Sequence, residues 1–236
     1  MSREHHDPAV LARALRAGAQ LRDKVVVVTV DPATLDDPQK VDPLAADLAL
    51  ARSLGIRMVT VCDPGAGPGP LDAQRPALRL VAALEKQGER GVALPAAGLV
   101  TVHRLPPTPS VPAILPVVNP ILLIHLCSLG YLPILLLPVA DTAGQVVDTR
   151  AGVIAAAVAQ FMAAPLLVSL DAAAPGAAPP SPVSGPPSPG QPVTITAAPG
   201  HLLLDVLLNA PPPAPLSAAT VLQGVSLGEV KGILPT

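Results

Sequence analysis

Several groups of residues in this chain have the right types for a site, and their spacing decides what chemistry each could do. The stretch CDPGAGPGP (62–70) sets Gly65, Gly67 and Gly69 just after an apolar run, where backbone amides could face a phosphate. A phosphate loop also needs a lysine followed by a hydroxyl residue, and here prolines interrupt the glycines instead. The stretch reads as a connecting loop. His5 and His6 lie between Glu4 and Asp7 near the N-terminus, where adjacent polar residues are ordinarily solvated. His103 falls in a strand pattern and His125 in an apolar helix pattern, each without a partner at metal-ligand spacing. Cys62 and Cys127 are too few for a disulfide framework or a thiolate zinc site. Each sits in or beside an apolar run, so both read as buried free thiols in a reducing compartment. No Ser-His-Asp or Cys-His arrangement is legible from spacing. The residues thus predict no catalytic group, no metal and no cofactor.

Composition narrows the classes further. The chain has 236 residues, enough for one large domain or two small ones. A formal net charge of −2 gives no general attraction to nucleic acid or anionic lipid. Tyr131 and Phe161 are the only aromatics, which removes base-stacking platforms and a membrane aromatic belt. The core must therefore be aliphatic. Proline is abundant at 32 residues, in runs such as APPSPVSGPPSPG and APPPAP that favour extended, unpaired backbone.

The elements that must position any site follow from the apolar patterns. Residues 9–21 read as a short N-terminal helix. KVVVV is a buried strand of the parallel-sheet kind. DPLAADLALARSL spaces Leu44, Leu48, Ala51 and Leu54 as a helix, with Asp42 as N-cap, Pro43 at the first helical position and Gly55 past its end. IRMVTV is a second buried strand, so a parallel pair with a right-handed crossover is expected. ALRLVAALEKQG reads as another helix, and GVAL and GLVTVHRL as strands joined by a short turn.

The run from Leu105 to Ala140 contains no Asp, Glu, Lys or Arg and raises the question of a membrane span. A span needs about 20 apolar residues in one helix. Gly130 and Pro133 divide this run into a helix, NPILLIHLCSLGY, and a buried strand, LPILLLPV, while Pro106, Pro107, Pro109, Pro112 and Pro116 break any longer helix. No membrane partner is expected. ADTAGQ is a polar turn, AGVIAAAVAQFM a helix and PLLVSLD a strand. After a Pro-rich linker at about 172–191, PVTITA is a last strand and GHLLLDVLL a last helix. This order predicts an α/β three-layer sandwich with a mostly parallel sheet.

LARSLGIRMVTV, and further on LLIHLCSLGYLPILLLPVADTAGQVVDTRAGVIAAAVAQFMAAPLLVSLD, resemble the amino-acid kinase superfamily. There, a helix ending in Gly leads to a Pro-containing strand, a d-x-x-G turn, a small-residue helix and another strand. The branch they look most like is N-acetylglutamate kinase and the kinase-like domain of animal-type N-acetylglutamate synthase. PVTITAAPGHLLLDVLLN resembles that domain's last strand and helix, and TVLQGVSLGEVKGIL the segment leading into its acetyltransferase domain.

The resemblance implies where kinase chemistry should sit. The kinase Lys-x-Gly-Gly matches Thr29, Asp31 and Pro32, which supply neither positive charge nor a free amide at the proline. The kinase His-Gly-Gly-Gly-Pro matches Cys62, Asp63, Pro64, Gly65 and Ala66. The kinase Asn-x-Asn-Ala-Asp matches Asp148, Thr149, Arg150, Ala151 and Gly152, so the catalytic acid becomes a glycine. The Gly-Gly-Met…Lys segment that grips nucleotide has no counterpart.

A kinase-like domain without kinase chemistry is expected, with acetylglutamate kinase or a scaffold without small-molecule function as alternatives. In arginine-sensitive members L-arginine binds beside the N-terminal helix and the last helix, which implies Asp205 as the guanidinium acceptor, with His201 one turn earlier. Residues 1–22 are expected to form an N-terminal helical arm and 23–210 the kinase-like domain. Residues 211–236 are expected to be a tail leading toward an acetyltransferase domain absent from this chain. The resemblance also implies homo-oligomers and the mitochondrial matrix, with the cytoplasm as the alternative.

Overall fold

The computed structural model describes residues 18–64, 70–104, 114–147, 149–170 and 193–196. A six-stranded sheet forms the middle layer. Its strands are β1 (Val25–Val30), β2 (Arg57–Cys62), β3 (Arg90–Pro95), β6 (Tyr131–Leu136), β9 (Leu166–Leu170) and β10 (Val193–Thr196), in the order β10-β9-β1-β2-β6-β3. Every neighbouring pair is parallel. The valine run of β1 is buried on both sides. Val26, Val28 and Val30 face one helix layer, and Val27 faces the other. That two-sided burial is why the strand reads as a continuous apolar run rather than an alternation.

On the first face lie α1 (Pro32–Asp36), α2 (Pro38–Ser53) and α3 (Pro70–Lys86), packed through Leu35, Leu48, Leu80 and Leu84. On the second face lie α4 (Ile121–Ser128) and α5 (Ala151–Phe161), packed through Leu123, Ile154 and Val158. The result is the expected three-layer sandwich.

The structure corrects three local expectations. The cap of α2 is Asp37 rather than Asp42: its Oδ1 accepts the Gln39 N–H at 2.9 Å, and Pro43 lies inside the helix. Two Asp-Pro pairs compete to start this helix, and the earlier one wins because Val41 and Leu44 then both reach the core. α3 begins at Pro70 and runs through Pro76, seven residues before the expected start at Ala77. α1 was not expected at all. Asp31 Oδ1 caps it by accepting the Ala33 N–H at 3.0 Å, with Pro32 in its first turn.

The charge-free run divides as anticipated. α4 ends at Ser128, Gly130 turns the chain at φ +82°, and the following strand enters the main sheet as β6. Among the described residues no helix is long and apolar enough to cross a membrane.

A second, four-stranded sheet of order β5-β4-β7-β8 packs with the α4–α5 face. It is built from β4 (Val100–Arg104), β5 (Ile114–Val118), β7 (Val139–Asp141) and β8 (Val146–Val147). GVAL and GLVTVHRL therefore belong to different sheets, separated by a tight turn at Ala96–Gly98. β5 was missed because Pro116 argues against a strand. It is an edge strand, where a missing donor is tolerated. The polar ADTAGQ segment is the β7–β8 hairpin: Asp141 Oδ1 accepts the N–H of Gln145 at 2.8 Å and of Ala143 at 3.0 Å. The Gln145 amide and then the Arg104 guanidinium, 2.9 Å from Oδ2, hold the Asp141 carboxyl below its ordinary range.

Candidate functional site

In open parallel sheets, ligands gather at the carboxyl ends of the strands. That end of this molecule brings together most of the positions matched to kinase motifs. β1 and β2 run in register, with Val30 beside Cys62, so Asp31 and Asp63 leave neighbouring strand ends. β9 flanks β1 on the other side with Thr29 beside Ser169, and the Asp31 N–H reaches the Leu170 carbonyl. α5 starts against the same edge, bringing Ala151 and Gly152 to it.

Each of these side chains is already engaged in holding the fold. Thr29 is 2% exposed, and its Oγ1 donates to Ser169 Oγ at 2.9 Å. Thr29 and Ser169 thus form a part-buried pair of hydroxyls between neighbouring strands. Asp31 turns to its own helix as the α1 cap. Asp63 reaches across the site: its Oδ1 accepts the Ala151 N–H at 2.9 Å. Arg150 occupies the cap position of α5 and makes no side-chain cap, so a carboxylate from another strand supplies it. The amino end of a helix carries partial positive charge and unpaired N–H groups, the features a phosphate would use. Here the chain's own Asp63 carboxylate takes one of those N–H groups, that of Ala151.

Cys62 is fully buried, and burial together with the Asp63 carboxylate pushes its thiol up to about 12. It is therefore no nucleophile at neutral pH. Cys127 is buried in α4, where burial raises its thiol to about 11 against the opposing pull of Arg57 and Arg52. Both cysteines are free and buried, as expected from their apolar settings. Gly152 sits exposed in the first turn of α5, and nothing stands within 4 Å of where a Cβ would be.

His103 is half-buried in β4, and His125 is exposed on α4. Among the described residues no group of three His, Cys, Asp or Glu side chains is placed to hold a metal ion. Gly65, Asp148, His201 and Asp205 lie outside the described residues. Ser169 was not singled out from the sequence, since one serine in PLLVSLD gives no sign of the strand it will pair with.

No family model matches the sequence, and no curated protein matches it. Solved structures do share the fold. N-acetylglutamate synthase from Neisseria gonorrhoeae, complexed with coenzyme A and N-acetyl-glutamate, is similar with a TM-score of 0.57 and 19% identity, covering 74% of this chain and 47% of that one. The same enzyme complexed with coenzyme A and L-arginine gives 0.53 and 17%, covering 73% of this chain and 49% of that one. Aspartate kinase from Synechocystis gives 0.51 and 13%, covering 63% of this chain and 28% of that one. The chain spans about half the length of the synthases it resembles. The chain shares its fold with these synthases and with aspartate kinase.

Proposed function

We propose that this chain is the kinase-like regulatory module of an N-acetylglutamate synthase, without phosphoryl-transfer chemistry of its own, which binds L-arginine and assembles into homo-oligomers. The observation that carries the reading is the Asp63–Ala151 contact. Phosphoryl transfer needs positive charge and free amides around the transferred group. The Asp63 carboxylate bound at the start of α5 brings negative charge there instead, and the Thr29–Ser169 hydroxyl pair brings no positive charge. The proposed role is therefore to hold an amino acid and to pack against other domains. The synthase of like fold that was solved with L-arginine supports arginine as the ligand. A guanidinium and a carboxylate make paired, charge-assisted hydrogen bonds, which is the role proposed for Asp205, with His201 beside it. Acetyl transfer would belong to the acetyltransferase domain of the whole synthase, and the mitochondrial matrix is the compartment this reading implies.

Calorimetric titration tests it. L-arginine should give saturable heat that disappears in Asp205→Ala, and ATP with magnesium should give none. Absence of arginine heat from folded protein would remove the ligand. Saturable ATP binding would favour acetylglutamate kinase instead.

A further inference from the structure

We infer that the edge of the main sheet where β2, β6 and β3 begin binds a small oxyanion, of phosphate or dicarboxylate chemistry, through Arg52, Arg57 and Arg90. This edge is the end opposite the positions matched to kinase motifs, and the inference does not rest on the function proposed above. The strand register assembles the site around Tyr131. Arg90 stands beside Tyr131, and its guanidinium lies 5.9 Å from the centre of that ring. Thr60 stands beside Ile134, so the same register carried back three residues sets Arg57 on the other side of Tyr131. Neighbours in register on parallel strands point to one face of the sheet. Here that is the α4 face, since Val59 and Leu135, alternate residues on the same strands, pack there. Arg52, at the end of α2, joins them: its Nη2 lies 3.5 Å from the place a Cβ on Gly130 would take. Arg57 and Arg52 also act together on the Cys127 thiol in the last turn of α4.

The chain's own acids hold these arginines loosely. Glu89 Oε2 stands 3.2 Å from Arg52 Nη1, yet that nitrogen is buried without a hydrogen-bond acceptor among the described residues. A buried guanidinium N–H in that state is costly, and an acceptor on its axis would displace the glutamate. Asp23 meets Arg57 at 3.3 Å, but its side chain is 74% exposed, so water screens the pair. Arg90 has the Tyr131 ring and no carboxylate among the described residues. Glu85, the other acid near this edge, belongs to α3 on the opposite face of the sheet. Elsewhere the pairs are closer, as where Arg104 meets Asp141 at 2.9 Å.

Charge and donor geometry select the ligand. The carboxyl end of α4 carries about half a negative charge, which one arginine suffices to meet. Two more cations border the group without an ion pair among the described residues. Arg22 lies over Gly55, its Nε 3.4 Å from the place of a Cβ there, and the Lys24 carbonyl accepts the Arg57 N–H at 3.0 Å. A guanidinium offers two parallel N–H donors, the spacing that a carboxylate or a phosphate accepts. Several of them around one turn suit a compact ligand with two negative charges. Asp23 is the built-in competitor for Arg57, and its turn holds it at φ +61°, a backbone that Asp and Asn adopt more readily than most residues.

Calorimetry on the whole chain at constant ionic strength tests the inference, with inorganic phosphate in one titration and glutarate in another. At least one should give saturable heat, and Arg57→Gln combined with Arg90→Gln should weaken that binding tenfold or more. Arg79→Gln, on α3 across the sheet, should leave it unchanged. If the double variant loses its fold by circular dichroism, Arg90→Gln alone, at an exposed position, makes the same test. Asp23→Asn suits the same turn and removes the competing carboxylate, so it should tighten binding severalfold. Tighter binding of phosphate would assign the site to phosphorylated ligands, and tighter binding of glutarate to dicarboxylates. No saturable heat from either anion overturns the inference. So does binding that Arg79→Gln weakens as much as the arginine variants at this edge, or binding that Asp23→Asn weakens.

Discussion

On one face of the main sheet, α2 and α3 present Lys40, Arg75, Arg79, Glu85 and Lys86 to water; on the other, α4 and α5 present Ile121, Leu122, Ile124, Val153 and Phe161. The charges of the first layer tie its elements together. Arg79 meets Asp36 at 2.6 Å, joining α3 to α1, and Lys86 meets Asp42 at 3.2 Å, joining α3 to α2. The second layer has no Asp, Glu, Lys or Arg in either helix. The Ile121 N–H at the start of α4 donates to Asn119 Oδ1 at 3.2 Å, whereas α5 takes its cap from Asp63, just past the end of β2. Two layers of one sheet thus share an aliphatic interior and differ in the charge they show outward. Core burial, not surface charge, must carry both.

The largest expected effect tests that equality. Ile154 in α5 and Leu80 in α3 are both fully buried. Ile154→Ala and Leu80→Ala should each lower stability by about 2–5 kcal/mol, measured as a fall in urea midpoint. The two losses should be similar. A near-neutral Ile154→Ala would break the comparison, because the uncharged layer would then be a loose cover rather than half of the core.

The sheet and its two layers were legible because they depend on local patterns. The valine run of β1, the apolar run of β2, the helical spacing from Leu44 to Leu54 and the glycine after α4 each state their role within a few residues. Where two local signals competed, as with the paired Asp-Pro starts of α2, only packing could choose. Pro116 hid β5 because the sequence does not say which way its nitrogen faces. The site was half legible. Thr29, Asp31, Cys62 and Asp63 could be placed at strand ends because the apolar runs stop there. Their partners could not be placed: Thr29 meets Ser169 across 140 positions and Asp63 meets Ala151 across 88. Those contacts exist only once the strand order is set.

The borrowed cap gives the next effect. Asp63→Ala removes the acceptor for the Ala151 N–H and should cost about 1 kcal/mol, with faster hydrogen exchange confined to the first turn of α5. Asp63→Asn keeps an acceptor oxygen and should cost less. If Asp63→Ala leaves exchange at Ala151 unchanged, the second layer does not depend on a carboxylate from outside it. The contrast with the first layer, where Asp31 and Asp37 cap their own helices, would then weaken.

The smallest effect should come from the most conspicuous charges. Arg79 and Asp36 are 42% and 47% exposed, so solvent screens most of their attraction. Arg79→Ala should cost only about 0.2–1 kcal/mol. Salt can divide that cost. The attraction between the two ionised side chains should fade as ionic strength rises, whereas a second bond, from the same guanidinium to the Asp36 carbonyl at 2.9 Å, should persist because its acceptor is neutral. Urea midpoints of wild type and Arg79→Ala should therefore converge at high salt without meeting. A gap that stays constant would assign the contribution to the carbonyl bond and the packed arginine stem. A gap well above 1 kcal/mol would mean that the charged layer draws real stability from its surface, and the two faces of the sheet would then differ in how they are held as well as in what they show to water.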